Sequence, residues 1–162
     1  MLAILPQDHL VLQPGDGLRT SKGATAWWAF TRPETAMISM QQVVEAVVAQ
    51  ALPFFESTWS VQGLYDHLMD VEWPSEHHLE FARGACAAWM NDVGSATNHL
   101  ARATALYSAD GREWCAEYEE QASMLRNAAE RGHARELLST WRAETVRALG
   151  LERFEIAEQP GL

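Results

Sequence analysis

The sequence PETAMISMQQVVEAVVAQALPFFESTWSVQGLYDHLMDVEWPSEHHLEFA occupies residues 33–82 and contains no lysine or arginine. Its acidic residues are Glu34, Glu45, Glu56, Asp66, Asp70, Glu72, Glu76 and Glu80. Apolar residues recur at spacings of three and four, the period of one helix face, at Val44, Val47, Val48, Ala51, Leu52 and Phe55. The stretch therefore predicts helices that combine core positions with a surface of one charge sign.

Capping residues and prolines set the expected ends of these helices. Ser39 is a suitable N-cap for the first helix, and Pro53 predicts that it ends or kinks near Ala51. Ser60 is a suitable cap for a second, shorter helix that stops before Trp73-Pro74. The stretch thus predicts two helices separated at the proline.

Four further helices with clear stop signals are predicted from Ser75 to Gly150. Ser75 caps the first of them, and a turn or a glycine lies at each later boundary. The positions expected to be buried are Leu79, Ala82, Cys86, Trp89, Ala96, Leu100, Ala103, Leu106 or Tyr107, Cys115, Tyr118, Ala122, Leu125, Ala129, Leu137, Leu138, Trp141, Thr145 and Leu149. Because the connections are short, neighbouring helices are expected to pack as antiparallel hairpins.

The two ends of the chain favour β-structure. Short apolar runs broken by proline and glycine make residues 1–32 a β-rich part, and residues 151–158 form an alternating segment that reads as a returning strand. The predicted fold class is therefore α+β. A small N-terminal antiparallel sheet packs against an array of antiparallel helical hairpins at 39–150, within one domain of residues 1–162.

Composition restricts the classes of partner. The chain has 162 residues and a net charge of -10, which repels nucleic-acid phosphates and anionic membrane surfaces and favours a basic protein partner or a metal cation. Cys86 and Cys115 lie in apolar helical patterns and read as reduced thiols of a cytoplasmic protein. Lys22 is the only lysine among twelve basic residues, a bias associated with bacterial genes. No motif predicts a cofactor.

The order of elements resembles a bacterial family known only as a domain of unknown function, DUF 4304. The resemblance spans roughly residues 24–149 and covers the back half of the family pattern. Its elements are a Trp-containing strand, a helix, Leu52-Pro53-Phe54-Phe55, a short helix ending in Leu68, and helical hairpins. The family has no established activity. Small acidic bacterial proteins of this kind are similar in character to the immunity proteins of toxin systems.

The functional prediction is non-enzymatic protein binding by an immunity-type inhibitor or an adaptor. A surface of one charge sign steers a basic partner, and an aromatic side chain at its centre supplies burial. The residues predicted to bind the partner are Asp66, Asp70, Glu72, Trp73, Glu76 and Glu80.

Two alternatives remain open. The first is a metal-dependent, hydrolase-type enzyme that uses His67, His77, Glu76 and Glu80, since imidazoles and carboxylates are the donors a divalent cation needs. The second is a homo-oligomer in which the Trp27 strand pairs edge to edge with a second copy. If the acidic residues bind no partner, they are a solvated helix surface and the tryptophan side chains belong to the core.

Overall fold

The computed structural model describes Leu18, Trp28, residues 32–71 and residues 75–152, and these residues are mostly helical. No strand is found among them, so the α+β prediction is wrong, and the described chain is mostly α. The predicted strands fall largely on residues outside the described ranges. The exceptions are Trp28 and the start of the 151–158 segment, Leu151 and Glu152, and none of these three residues is in a strand.

The chain divides into two compact units between His67 and Leu68. In the first unit, helix α1 spans Pro33–Ala46, a π-helical turn spans Val47–Ala51, and α2 spans Leu52–Thr58. Helix α3, Val61–Asp70, crosses the division between the units.

Helix α1 begins seven residues earlier than predicted, with its N-cap at Arg32 and not at Ser39. Pro33 stands at its first position, where the missing N–H costs nothing, and extended Arg32 is the N-cap. Ser39, predicted as the N-cap, is buried inside the helix. The prediction for α3 is confirmed, because the Ser60 hydroxyl accepts a hydrogen bond from the Gly63 backbone N–H at 3.0 Å.

Pro53 does not end the helix, which was one of the two predicted outcomes, but the regular α-helix is interrupted at Val47–Ala51, next to the predicted position. A proline removes its own N–H and its ring clashes with the carbonyl four residues earlier. The helix accommodates Pro53 by a π-helical turn, in which the Leu52 N–H donates to the carbonyl of Val47, five residues back. The chain therefore stays helical from Pro33 to Thr58.

The second unit contains four helices, α4 at Glu76–Trp89, α5 at Val93–Asp110, α6 at Glu113–Glu130 and α7 at Ala134–Ala148. Each helix packs on the next, as the predicted hairpins require, and α4 also contacts α6 and α7. Residues with left-handed backbone end α5 and α6, at Gly111 and Gly132. The side chain of Asp92 caps α5 by accepting from the Ser95 N–H at 3.1 Å.

The core of this unit follows the predicted apolar positions closely. The fully or nearly fully buried apolar residues of α4–α7 are Leu79, Phe81, Ala82, Ala85, Cys86, Ala87, Ala88, Ala96, Leu100, Ala103, Tyr107, Cys115, Tyr118, Ala122, Leu125, Ala129, Ala134, Leu138 and Trp141. Helix α4 is buried on nearly all sides after its first turn, because it is packed against three other helices. It is the central helix of the unit.

Candidate interaction surface

Helices α1 and α2 expose a series of large apolar side chains to solvent. Eight of them are between 47% and 80% exposed. We call this set the α1–α2 apolar surface; it consists of Met37, Ile38, Met40, Val44, Val48, Leu52, Phe55 and Trp59. Soluble proteins rarely leave so many neighbouring apolar groups in water unless they form an interaction site.

The helix period explains how part of this surface is built. Met37, Met40 and Val44 are three and four residues apart, so they lie on one side of α1. Leu52, Phe55 and Trp59 repeat the same spacing along and just beyond α2. The ring of Phe54, on another side of α2, meets the edge of the His67 ring, with 5.2 Å between centroids.

Carboxylates accompany the apolar side chains. Glu34, Glu45 and Glu56 are exposed, and no basic residue lies between Arg32 and Arg83 in the sequence. Glu34 and Glu45 are eleven residues apart, which places them within about 20° of each other around α1. The surface therefore combines apolar contact area with negative charge.

The continuous helical segment Pro33–Thr58 is long and apolar enough, by length and composition only, to cross a membrane. Pro33–Thr58 has 26 residues, and its most apolar 18-residue window has a mean hydropathy of 1.2. Length and composition alone give this result, and core helices and signal sequences pass the same test. Polar residues interrupt the apolar run, so the segment does not stand out in the sequence as a continuous stretch of apolar residues.

The residues predicted to bind the partner occupy different environments. Asp66 and Asp70 are exposed on α3, and Asp66 accepts a hydrogen bond from Gln62 at 2.7 Å. Glu76 is exposed at the start of α4 and forms an ion pair with Arg102. Glu72 and Trp73 lie outside the described residues.

Glu80, which was also predicted to bind the partner, lies in the core. It is 1% exposed. Arg83 Nη1 donates to its Oε1 at 2.7 Å, and His99 Nδ1 lies 2.8 Å from its Oε2. Burial alone would raise the Glu80 pKa, but the hydrogen bonds from His99 and Arg83 outweigh it and hold the pKa below its ordinary value. Its charge is therefore matched inside the fold and is not presented to a partner.

An aromatic cluster fills one end of the second unit. His78 Nδ1 lies 2.7 Å from the Tyr107 hydroxyl, and the ring of His78 stacks on Trp114 with centroids 5.5 Å apart. His77 packs against the same tyrosine, and its Nε2 lies 2.9 Å from the Ser75 hydroxyl. Burial, aided by the nearby charges of His77 and Arg112, lowers the pKa of His78 to about 4. Both histidines thus serve as packed, hydrogen-bonded rings.

Metal ligation and thiol chemistry receive no support from the described part of the chain. Within residues 32–71 and 75–152, no group of three or more His, Cys, Asp or Glu side chains is placed to hold a metal ion. The metal candidates His67, His77 and Glu80 form no such group there.

Cys86 and Cys115 are free and buried, as predicted. Burial raises the pKa of Cys86 to about 12, which keeps this thiol protonated.

The α1–α2 apolar surface was missed by reasoning from the sequence. The spacing of Val44, Val48 and Phe55 predicts a helix, but it does not tell whether their face is covered. A signal was available in Met37, Ile38 and Met40, which spread apolar side chains over more of the circumference than one buried face needs.

Comparison of the chain with protein-family models, with curated proteins and with solved structures finds no match. The resemblance to DUF 4304 therefore stays a prediction from the sequence.

Proposed function

We propose that the chain is a non-enzymatic protein-binding module that presents the α1–α2 apolar surface and its carboxylates to a basic protein. The observation that carries this proposal is the exposure of eight large apolar side chains along one helical segment. Buried in an interface, such side chains supply most of the binding free energy, with aromatic groups such as Trp59 as the strongest anchors.

Charge supports a protein partner over a membrane. Helices that lie on a bilayer surface carry lysine and arginine beside their apolar face, and anionic lipids attract them. The segment Pro33–Thr58 instead carries Glu34, Glu45 and Glu56 and no basic residue. An immunity-type inhibitor or an adaptor is the class of protein to which these properties, together with the resemblance, point.

The proposal is tested by capturing proteins from lysate of the source cells, with the wild-type chain and a variant as baits. The variant carries Met37→Gln, Val44→Gln and Val48→Gln, which remove apolar area and keep the charge. We expect one or a few basic proteins to be retained by the wild type and lost from the variant.

A matched control separates this surface from exposed apolar residues in general. Val93 and Met124 are 40% and 45% exposed on α5 and α6, and their replacement by glutamine should leave capture unchanged. Circular dichroism must show equal helicity in all baits. Equal capture by the wild type and the α1–α2 variant would overturn the proposal.

A further inference from the structure

We propose that the occupant of the α1–α2 apolar surface is a basic amphipathic helix of the partner protein. This inference rests on the proposed function and specifies the chemistry of the partner. It follows from three properties of the surface, which are its shape, its hydrogen-bonding capacity and its charge.

The shape of the surface suits a helix. The exposed apolar side chains run from Met37 to Trp59 along a continuous helical segment, a length of about 33 Å at 1.5 Å per residue. The side chains of a helix form ridges and grooves, and a second helix fills them by interlocking its own ridges. A helix of roughly 20 residues covers this length.

Hydrogen bonding favours the same occupant. Backbone N–H and carbonyl groups inside a helix are mostly paired along the helix, and the π-helical turn pairs the Leu52 N–H with the Val47 carbonyl. An extended peptide that adds to a sheet edge needs a row of free backbone groups, which a helix does not present. Contact must therefore be made by side chains, as in helix-in-groove recognition.

The charge of the surface selects a basic helix. Glu34, Glu45 and Glu56 are exposed beside the apolar side chains, and the sequence from 33 to 82 has no basic residue to balance them. Lysine and arginine beside an apolar helix face would meet these carboxylates. A second copy of this chain would bring the same three carboxylates to the contact, and each chain carries a net charge of -10.

Two synthetic peptides test the inference with the full chain. Both have 18 residues and the same leucine face, one with lysine and the other with glutamate at all remaining positions. Binding is measured by fluorescence anisotropy at about 0.05 M and about 0.5 M salt, which screens charge strongly. We expect the leucine–lysine peptide to bind at least about tenfold more tightly than the leucine–glutamate peptide, and to weaken at high salt.

Charge reversal on the chain distinguishes a specific surface from general attraction to an acidic protein. We expect Glu34→Lys, Glu45→Lys and Glu56→Lys together to weaken binding of the leucine–lysine peptide by at least about tenfold. The control reverses three exposed acids of α6 and α7, namely Glu120, Glu130 and Glu144, and should change binding less than about twofold. Equal effects of the two triple variants would overturn the inference.

The remaining outcomes separate failure of this inference from failure of the proposed function. If both peptides bind equally, E34K/E45K/E56K has no effect and M37Q/V44Q/V48Q still abolishes protein capture, the basic helix is wrong and the proposed function stands. Three other outcomes overturn the inference in favour of another occupant. They are binding of neither peptide, self-association of the chain that M37Q/V44Q/V48Q abolishes, and binding of the chain to neutral phosphatidylcholine vesicles. If M37Q/V44Q/V48Q changes neither peptide binding nor protein capture, the proposed function fails as well.

Discussion

Glu80 Oε2 on α4 lies 2.8 Å from His99 Nδ1 on α5, in a position where the carboxylate has almost no contact with water. Arg83 Nη1 occupies the other oxygen of Glu80 at 2.7 Å, and Arg83 also donates to the Leu68 carbonyl. A single buried carboxylate thus joins α4 to α5, and through Arg83 to the last turn of α3. Buried charges persist in folded proteins when they are paired and hydrogen-bonded in this way.

The first prediction concerns the loss of this carboxylate. Glu80→Ala should lower the free energy of unfolding by about 3 kcal/mol, because it leaves Arg83 and His99 without their buried partner. Glu76→Ala removes an exposed partner of Arg102 and should cost less than about 1 kcal/mol. Urea unfolding followed by circular dichroism measures both values. Equal costs would show that burial of Glu80 does not matter to stability.

The second prediction concerns the fork geometry of Arg83. Its Nε and Nη2 donate to the Leu68 carbonyl at 2.9 and 2.7 Å while Nη1 holds Glu80. A lysine ammonium cannot make these contacts together, so Arg83→Lys should cost about 1–2 kcal/mol. Hydrogen exchange should also become faster in the last turn of α3. Arg131→Lys, at an exposed position, should change neither quantity.

The third prediction is a loss of stability in weak acid. The pKa of His78 is about 4 in the folded chain and 6.5 ordinarily, so the unfolded chain takes up a proton first as the pH falls. The contribution of His78 is therefore complete above pH 6.5 and is lost as the pH falls from 6.5 towards 4. Burial lowers the pKa of His77 as well, with the same sign. Because the ring of His78 is half-buried, solvent screening reduces its share to about 1–2 kcal/mol.

His78→Gln tests this prediction, because it removes the titrating ring and keeps an amide that can bond to the Tyr107 hydroxyl. Urea midpoints are compared at about pH 7 and about pH 4.5. The variant should lose less stability over this interval than the wild type. The lowered pKa of Glu80 affects stability in a lower range of pH. A carboxylate whose pKa is lowered by folding contributes stability that is lost only below its ordinary pKa of 4.5. An equal loss in both proteins would contradict the assignment to His78.

The helices of the second unit were predicted well from the sequence, because local residue spacing and end signals identify each of them. The three- and four-residue spacing of Leu100, Ala103 and Tyr107 identified the buried face of α5, and glycines with left-handed backbone marked helix ends. The start of α1 was missed because the capping preference of Ser39 placed the N-cap there, although proline, as at Pro33, is also favoured in the first turn of a helix. The effect of Pro53 was predicted as an end or a kink, and the π-helical turn Val47–Ala51 shows that the helix continues past the proline.

The candidate site was harder to predict, since it depends on which helix faces other helices cover. Glu80 was grouped with surface acids, yet α4 is enclosed by α5, α6 and α7, and that enclosure cannot be read from the period of α4 alone. The reverse error occurred on α1 and α2, where apolar residues such as Val44 and Phe55 remain exposed. The local residue pattern identifies a helix and its apolar face. Whether that face is exposed to solvent depends on how distant parts of the chain pack against it.

The fourth prediction uses two glycines to test how closely α4 and α5 approach. A Cβ atom at Gly84 would lie 2.6 Å from Cγ and 2.8 Å from Cδ2 of Leu100, which is fully buried and has no room to move away. Gly84→Ala should therefore lower the free energy of unfolding by about 1–3 kcal/mol, although alanine favours a helix over glycine by about 1 kcal/mol.

Gly94, in the first turn of α5, is the control, because the nearest atom to an added Cβ there is Asp92 Oδ1 at 3.7 Å. Gly94→Ala should be neutral or stabilise the chain by up to about 1 kcal/mol. Urea unfolding of the two variants gives the comparison, and a stabilising Gly84→Ala would mean that the two helices lie farther apart than the structure places them.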